Sequence, residues 1–166
     1  MHLQAIEEYG LRCLIQVARA AEGDAPLPIA EIARAEGLSA EYTAKLMRQL
    51  RLGELVESVR GAGGGYRLSR PAREISVWAA LHALGGEPFP ADFCACHPGR
   101  QSECVRQTDC ALRALWRTVK QTLHQTLEAI SLEDLRRDER AMAIWLDGSP
   151  ANDAFRDAFP KETPCS

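Results

Sequence analysis

Between residues 28 and 70 two short helical segments run into a hairpin tipped by glycine, and this order constrains the chain more than any other feature. Pro28 suits the start of a helix, because the N–H it lacks is one that a helix start leaves unsatisfied anyway. The helix it opens, Pro-Ile-Ala-Glu-Ile-Ala-Arg-Ala-Glu, is ended by Gly37. Ser39 then offers a capping oxygen to a second helix running from about Ala40 to Arg51. Ile29, Ile32, Ala33, Leu38, Leu46 and Leu50 recur so that both helices can share one core. Leu55-Val56-Glu57-Ser58-Val59 and Gly65-Tyr66-Arg67-Leu68-Ser69 flank a glycine run with strand-like alternation, and the glycines supply the positive φ values a tight turn needs.

A helix-turn-helix followed by a glycine-tipped hairpin is a winged helix, an architecture that reads DNA. A glycine-rich loop can instead cradle a phosphate in a nucleotide site. Here no Gly-Lys-Ser/Thr follows the glycines and no helix opens directly after them, so that alternative is poor. Charge agrees with the DNA reading. The whole chain carries a net −3, yet Lys45, Arg48, Arg51, Arg60, Arg67, Arg70 and Arg73 face only Glu54 and Glu57 within their own segment. A basic block in an acidic protein fits a phosphate footprint, although a solvated charged face would look similar by charge alone.

Around this unit the pattern is helical. Leu3, Ile6, Leu11, Cys13, Leu14, Val17 and Ala18 make a first amphipathic helix, broken by Glu-Gly-Asp-Ala-Pro-Leu-Pro. A further amphipathic stretch, from Glu74 onward, ends at Gly85-Gly86. Leu112, Leu115, Trp116, Val119, Leu123, Leu127 and Ile130 then repeat every three or four residues, a stripe longer than a small domain covers, which predicts packing against a second subunit. Ser131-Leu-Glu-Asp reads as a cap opening a short helix. The expected fold is mainly α with a small β-hairpin, a winged helix-turn-helix plus a long dimerisation helix. Its expected divisions are a DNA-binding domain at 1–86 (wing about 55–70), a Cys-rich loop at 87–110, the dimerisation and following helices at 111–147, and a loose tail at 148–166. No run of 18 apolar residues is present, and the N-terminal helix carries acids where a secretion signal needs bases, so a cytoplasmic protein without a membrane partner is expected.

Six cysteines are present, and Cys94, Cys96, Cys104 and Cys110 cluster together. In a cytoplasmic chain such clustering suggests metal or redox chemistry more than a disulfide framework. Cys13 lies on the apolar stripe of the first helix and reads as a core residue, and Cys165 as a bystander. A zinc site, a metal-free disulfide switch and an electron-transfer role are the alternatives, although the paired Cys-x-x-Cys knuckles of structural zinc are missing. The sequence shows no nucleotide fingerprint, no activated Ser–His pair and no paired carboxylates placed around a cleft, so neither an enzyme nor a small-molecule substrate is expected.

Ser39, Tyr42, Leu46, Leu50 and Leu55-Val56, followed by Ser58-Val59-Arg60-Gly61-Ala62-Gly63-Gly64-Gly65-Tyr66, resemble the Rrf-type regulators, which include the IscR, NsrR and RirA groups. Met1-His2-Leu3, Tyr9, Cys110, Ala114-Leu115-Trp116 and Ile130–Leu135 fit the same pattern, which spans roughly residues 1–137. The resemblance implies a homodimeric winged-helix regulator, often a repressor, that binds an operator in double-stranded DNA and often carries an iron–sulfur cluster. In the major groove the second helix would present Ser39, Glu41, Tyr42 and Thr43 to bases or phosphates, with Lys45, Arg48 and Arg51 positioning the backbone. Arg60, and with it Arg67 on the wing, would serve the minor groove and its phosphates.

For a cluster, [2Fe–2S] or [4Fe–4S], the resemblance supplies Cys104 and Cys110 as two ligands and Cys96, or alternatively Cys94, as the first. Isc-type members take a histidine three residues after the last cysteine. Arg113 stands there, and arginine cannot ligate iron. The nitric-oxide-sensing branch uses a carboxylate from the first helix of the other subunit, and Glu8 occupies that position, with the partner subunit's Glu8 as the fourth ligand. His97 is a further possible ligand. The resemblance thus points to a sensor of nitric oxide, redox or iron–sulfur status.

Overall fold

The structure, a computed structural model, describes residues 4–21, 25–61, 63–85, 104, 106 and 109–149 of the 166. The expected Cys-rich loop, with Cys94, Cys96 and His97, falls largely outside these residues, as does the tail beyond Ser149. Helix α1 (Ala5–Ala20) opens on a reciprocal cap in which the Glu7 carboxylate accepts from the Gln4 N–H at 2.8 Å. Helix α2 (Ile29–Glu36) ends at Gly37, whose φ of 66° is left-handed, where a side chain would be strained. Pro28 stands one place earlier than expected, at the cap itself. Helix α3 (Ala40–Leu52) is capped by Ser39, whose Oγ accepts the Tyr42 N–H at 3.1 Å.

Strands β1 (Val56–Val59) and β2 (Gly65–Leu68) then pair antiparallel, with Val56 opposite Leu68 and Val59 opposite Gly65. Leu27 adds one bridge on the far side of β2, exchanging backbone hydrogen bonds of 2.8 and 2.9 Å with Tyr66. Gly65 is what permits this, because a Cβ there would lie 2.4 Å from the Leu27 carbonyl oxygen. A short 3₁₀ turn (Ala72–Glu74) leads into α4 (Val77–Ala83), capped by Ser76. The long helix α5 (Ala111–Glu128) precedes a second 3₁₀ turn (Asp134–Arg136) and α6 (Glu139–Gly148), which Asp138 caps.

Ser131 was expected to open a helix. It instead trades hydrogen bonds with Asp134 around the single 3₁₀ turn, and Asp138 restarts the chain as α6.

One core joins α1, α2, α3 and the hairpin: Cys13, Leu14, Ile32, Leu46, Met47, Leu50, Leu55 and Val56 are all closed to solvent. Ile75 and Leu132 complete it, and the Leu132 N–H donates to the Ile75 carbonyl at 2.7 Å. A smaller cluster of Val77, Leu81 and Ile130, with Leu127, Met142 and Trp145 against it, ties α4 to the end of α5 and to α6. Along the first turns of α5, Leu112 is 61% exposed, Leu115 47% and Trp116 37%. Among the described residues no helix is long and apolar enough to cross a membrane.

Candidate nucleic-acid interface and metal centre

The helical period divides α3 cleanly. Thr43, Leu46, Met47 and Leu50 turn inward and are closed to solvent, whereas Glu41, Lys45, Arg48 and Arg51 face out. Ser39 and Glu41 are exposed in the first turn, where a groove-entering helix makes its base contacts. Thr43 does not join them. Its side chain is 0% exposed and its hydroxyl donates back to the Ser39 carbonyl at 2.9 Å, so as a DNA contact it is corrected to a core residue. Its spacing of three and seven residues from Leu46 and Leu50 is the signal that places it inside. Tyr42 is only half-buried and packs against the core edge, so its ring sits between the two environments.

Arg60 is exposed where the wing leaves β1. Arg67 on β2 faces the same solvent but reaches across the strand pair, donating to Glu57 through Nε at 3.2 Å and Nη2 at 3.0 Å. Such an exposed pair is weak, so it orients the guanidinium without withholding it from a phosphate. Arg51 and Arg70 line a shallow cleft of about 530 Å³ between the end of α3 and the hairpin.

Behind the recognition face a polar connection appears that the sequence alone did not reveal. The Tyr9 ring on α1 meets Tyr42 of α3 edge-on, with centroids 6.2 Å apart. Arg12 lies over Tyr9 at 5.4 Å, and its Nε donates to Glu36 of α2 at 2.6 Å. The Glu36 hydrogen bond and charge hold the Arg12 guanidinium firmly protonated, with Glu8 adding to the effect. Tyr42 and Glu36 lie far in sequence from their partners on α1, and periodicity carries no signal for those two contacts.

Glu7 and Glu8 are neighbours with different environments. Glu7 is buried and occupied by the helix cap, whereas Glu8 is exposed on α1. Cys110 stands at the cap position of α5 and Cys104 just before it, both as free thiols that are partly exposed. Among the described residues no three Cys, His, Asp or Glu side chains gather closely enough to hold a metal. The donors that are described, two accessible thiols and one accessible carboxylate, are of the kind that ligates iron in sulfide clusters. Arg113 lies on the first turn of α5 and donates to the Arg106 carbonyl at 2.9 Å. Cys13, by contrast, is sealed in the core, and its burial pushes the thiol up to about 11.

Residues 3–138 match the Rrf2 family, described as an iron-dependent transcriptional regulator. The HTH-type transcriptional regulator IscR of Vibrio atlanticus (strain LGP32) is 33% identical over 144 residues, covering 87% of this chain and 80% of that protein. Among solved structures, T. potens IscR superposes with a TM-score of 0.64 at 28% identity, over 81% of this chain and 85% of the other. CymR (YrzC), the global cysteine regulator of B. subtilis, does so with a TM-score of 0.66 at 29% identity, over 82% and 96%. The described residues form six α-helices and one two-stranded hairpin, a winged-helix architecture shared with these regulators. This chain belongs to the Rrf2 family of transcriptional regulators.

Proposed function

We propose that this chain is a homodimeric repressor whose grip on its operator follows the state of an iron–sulfur cluster that senses nitric oxide or redox conditions. Residues 1–86 form the DNA reader, 87–110 the cluster segment, 111–147 the pairing helices and 148–166 a tail. Cys104, Cys110 and Cys96 (or Cys94) would hold the cluster from one subunit, and Glu8 of the partner subunit would complete it. When bound, the cluster supplies a redox- and nitric-oxide-reactive centre whose weakest bond is to the carboxylate.

The observation that carries the reading is the placement of Glu8. It is exposed, as a ligand reaching another subunit must be, and it neighbours Tyr9, which touches Tyr42 on the recognition helix. A pull on Glu8 would therefore be felt at α3 through the Tyr9–Tyr42 contact and at α2 through the Arg12–Glu36 pair. On the DNA side, Ser39, Glu41 and Tyr42 would face bases, Lys45, Arg48 and Arg51 phosphates, and Arg60 and Arg67 the minor groove and its rim.

Anaerobic purification followed by nitric oxide titration tests this. A brown protein that bleaches, with operator footprints that change in step, is expected. A colourless protein with zinc or no metal overturns it. The likeness to a cysteine regulator favours a second reading, a metal-free thiol switch through Cys104 and Cys110. In that case diamide, and not nitric oxide, would alter DNA binding.

A further inference from the structure

Three segments far apart in sequence meet at the base of the wing and leave an open cleft of about 470 Å³. Its floor is apolar, built from Ala18 near the end of α1, Leu68 of β2, and Pro71 and Ala72 after the hairpin. Its rim is basic. Among the described residues Arg67, Arg70, Arg73 and Arg136 line it, with one carboxylate, that of Glu133.

Arg67 and Arg73 are held in exposed ion pairs, at 3.0 Å to Glu57 and 3.3 Å to Glu74. Pairs of that kind are worth little, so an incoming anion can compete for both guanidiniums. Arg136 is more enclosed, its side chain 22% exposed, and Glu133 steadies its Nη1 through both carboxylate oxygens at 2.8 and 2.9 Å. Arg70 Nε donates to the Glu74 carbonyl at 3.2 Å, which fixes the plane of its fork at the cleft mouth.

We propose that this cleft binds a small organic oxyanion with a compact apolar body. The volume is that of a small-molecule site, and its lining pairs an apolar floor with a few convergent polar groups. Guanidinium forks match carboxylate and phosphate oxygens two at a time, so the head group is an oxyanion of either kind. The floor selects the rest of the ligand: a bare inorganic ion would leave Leu68 and Ala72 wet, and so would the broad backbone of a DNA duplex. Neither Cys104 nor Cys110, the described cysteines of the cluster segment, lines the cleft. An occupant would join β2 to the turn at Asp134–Arg136, and that turn follows Leu132, which is hydrogen-bonded to Ile75 in the core. It would therefore brace the wing against the elements that carry α5 and α6.

Calorimetric titration and thermal melting of the purified full-length protein test this with four probes: phenylacetate, phenyl phosphate, inorganic phosphate and benzyl alcohol. Saturable binding of phenylacetate or phenyl phosphate at one site per chain, with a raised Tm, is expected. Whichever of the two binds more tightly identifies the head group. Inorganic phosphate and benzyl alcohol should each bind at least about tenfold more weakly, since each offers half of the recognition. Arg70→Gln should weaken binding by about tenfold through loss of charge-assisted hydrogen bonds. Ala72→Leu, which fills the floor without altering charge, should abolish it; if that variant does not fold, Arg70→Gln decides alone. No saturable binding of either aromatic anion at millimolar concentration overturns the proposal. So does binding that Arg70→Gln leaves unchanged, or binding of inorganic phosphate as tight as that of phenyl phosphate.

Discussion

Glu7 and Glu8 show how little of a residue's role lies in its type. One is spent on capping α1 and the other is left exposed beside the aromatic contact to α3. Glu8→Ala should therefore leave the unfolding free energy within about 0.5 kcal/mol of the parent, as exposed substitutions do. Under the proposed ligation it should also speed the loss of visible absorbance in air, and an unchanged decay would rule Glu8 out as a ligand. The cysteines divide in the same way. Cys13 is closed to solvent and its thiol is pushed up to about 11 by burial, so at neutral pH it is both protonated and unreachable. Iodoacetamide mapped by mass spectrometry should label Cys104 and Cys110 of the apoprotein well before Cys13.

Asp134 gives a pH dependence. Burial opposes its charge, but hydrogen bonds from Ser131 and the nearby Arg137 outweigh this and hold its carboxyl below the ordinary range. A depressed folded-state value stabilises the protein above the unfolded-state value and loses that stability as pH falls toward the folded one. Asp134→Asn should thus lower Tm at neutral pH and flatten its decline as pH falls below the ordinary aspartate value of about 3.9.

Among the elements, the wing depends most on one residue. Gly65 lets Leu27 pair with Tyr66, and an added Cβ would collide with backbone that cannot swing aside. Gly65→Ala should cost about 2–3 kcal/mol, from overpacking together with weakened bridge hydrogen bonds, as read by denaturant unfolding. A change of under a few tenths would show that the bridge adjusts. The helix starts were legible because their signals are local: Ser39 caps α3 and Gly37 ends α2 where the residue types alone place them. Ser131 was misleading for the same reason. A cap selects a helical turn but does not determine how many follow, and here one 3₁₀ turn forms before Asp138 opens α6.

The whole molecule is defined by what α5 leaves uncovered. Its last turn joins the cluster around Ile130, while Leu112, Leu115 and Trp116 stay open along its first turns. An apolar stripe of this kind is stable in water when a partner covers it. Leu115→Glu should convert a dimer to monomer by sedimentation while the far-ultraviolet spectrum of the winged helix is retained. A variant that stays dimeric would place the pairing surface elsewhere.

The sequence by itself determined the order of the reading unit, because capping residues, glycine turns and helical periodicity are local and act over a few residues. It also determined the family, through motifs spread along most of the chain. The inward turn of Thr43 follows the same local period as Leu46 and Leu50, and the fold then closes it to solvent while Lys45, Arg48 and Arg51 stay outside. Only the fold brought Tyr9 to Tyr42, Arg12 to Glu36, and four arginines around one apolar cleft. Such meetings join positions tens of residues apart, and they exist because closing a single core sets distant segments side by side.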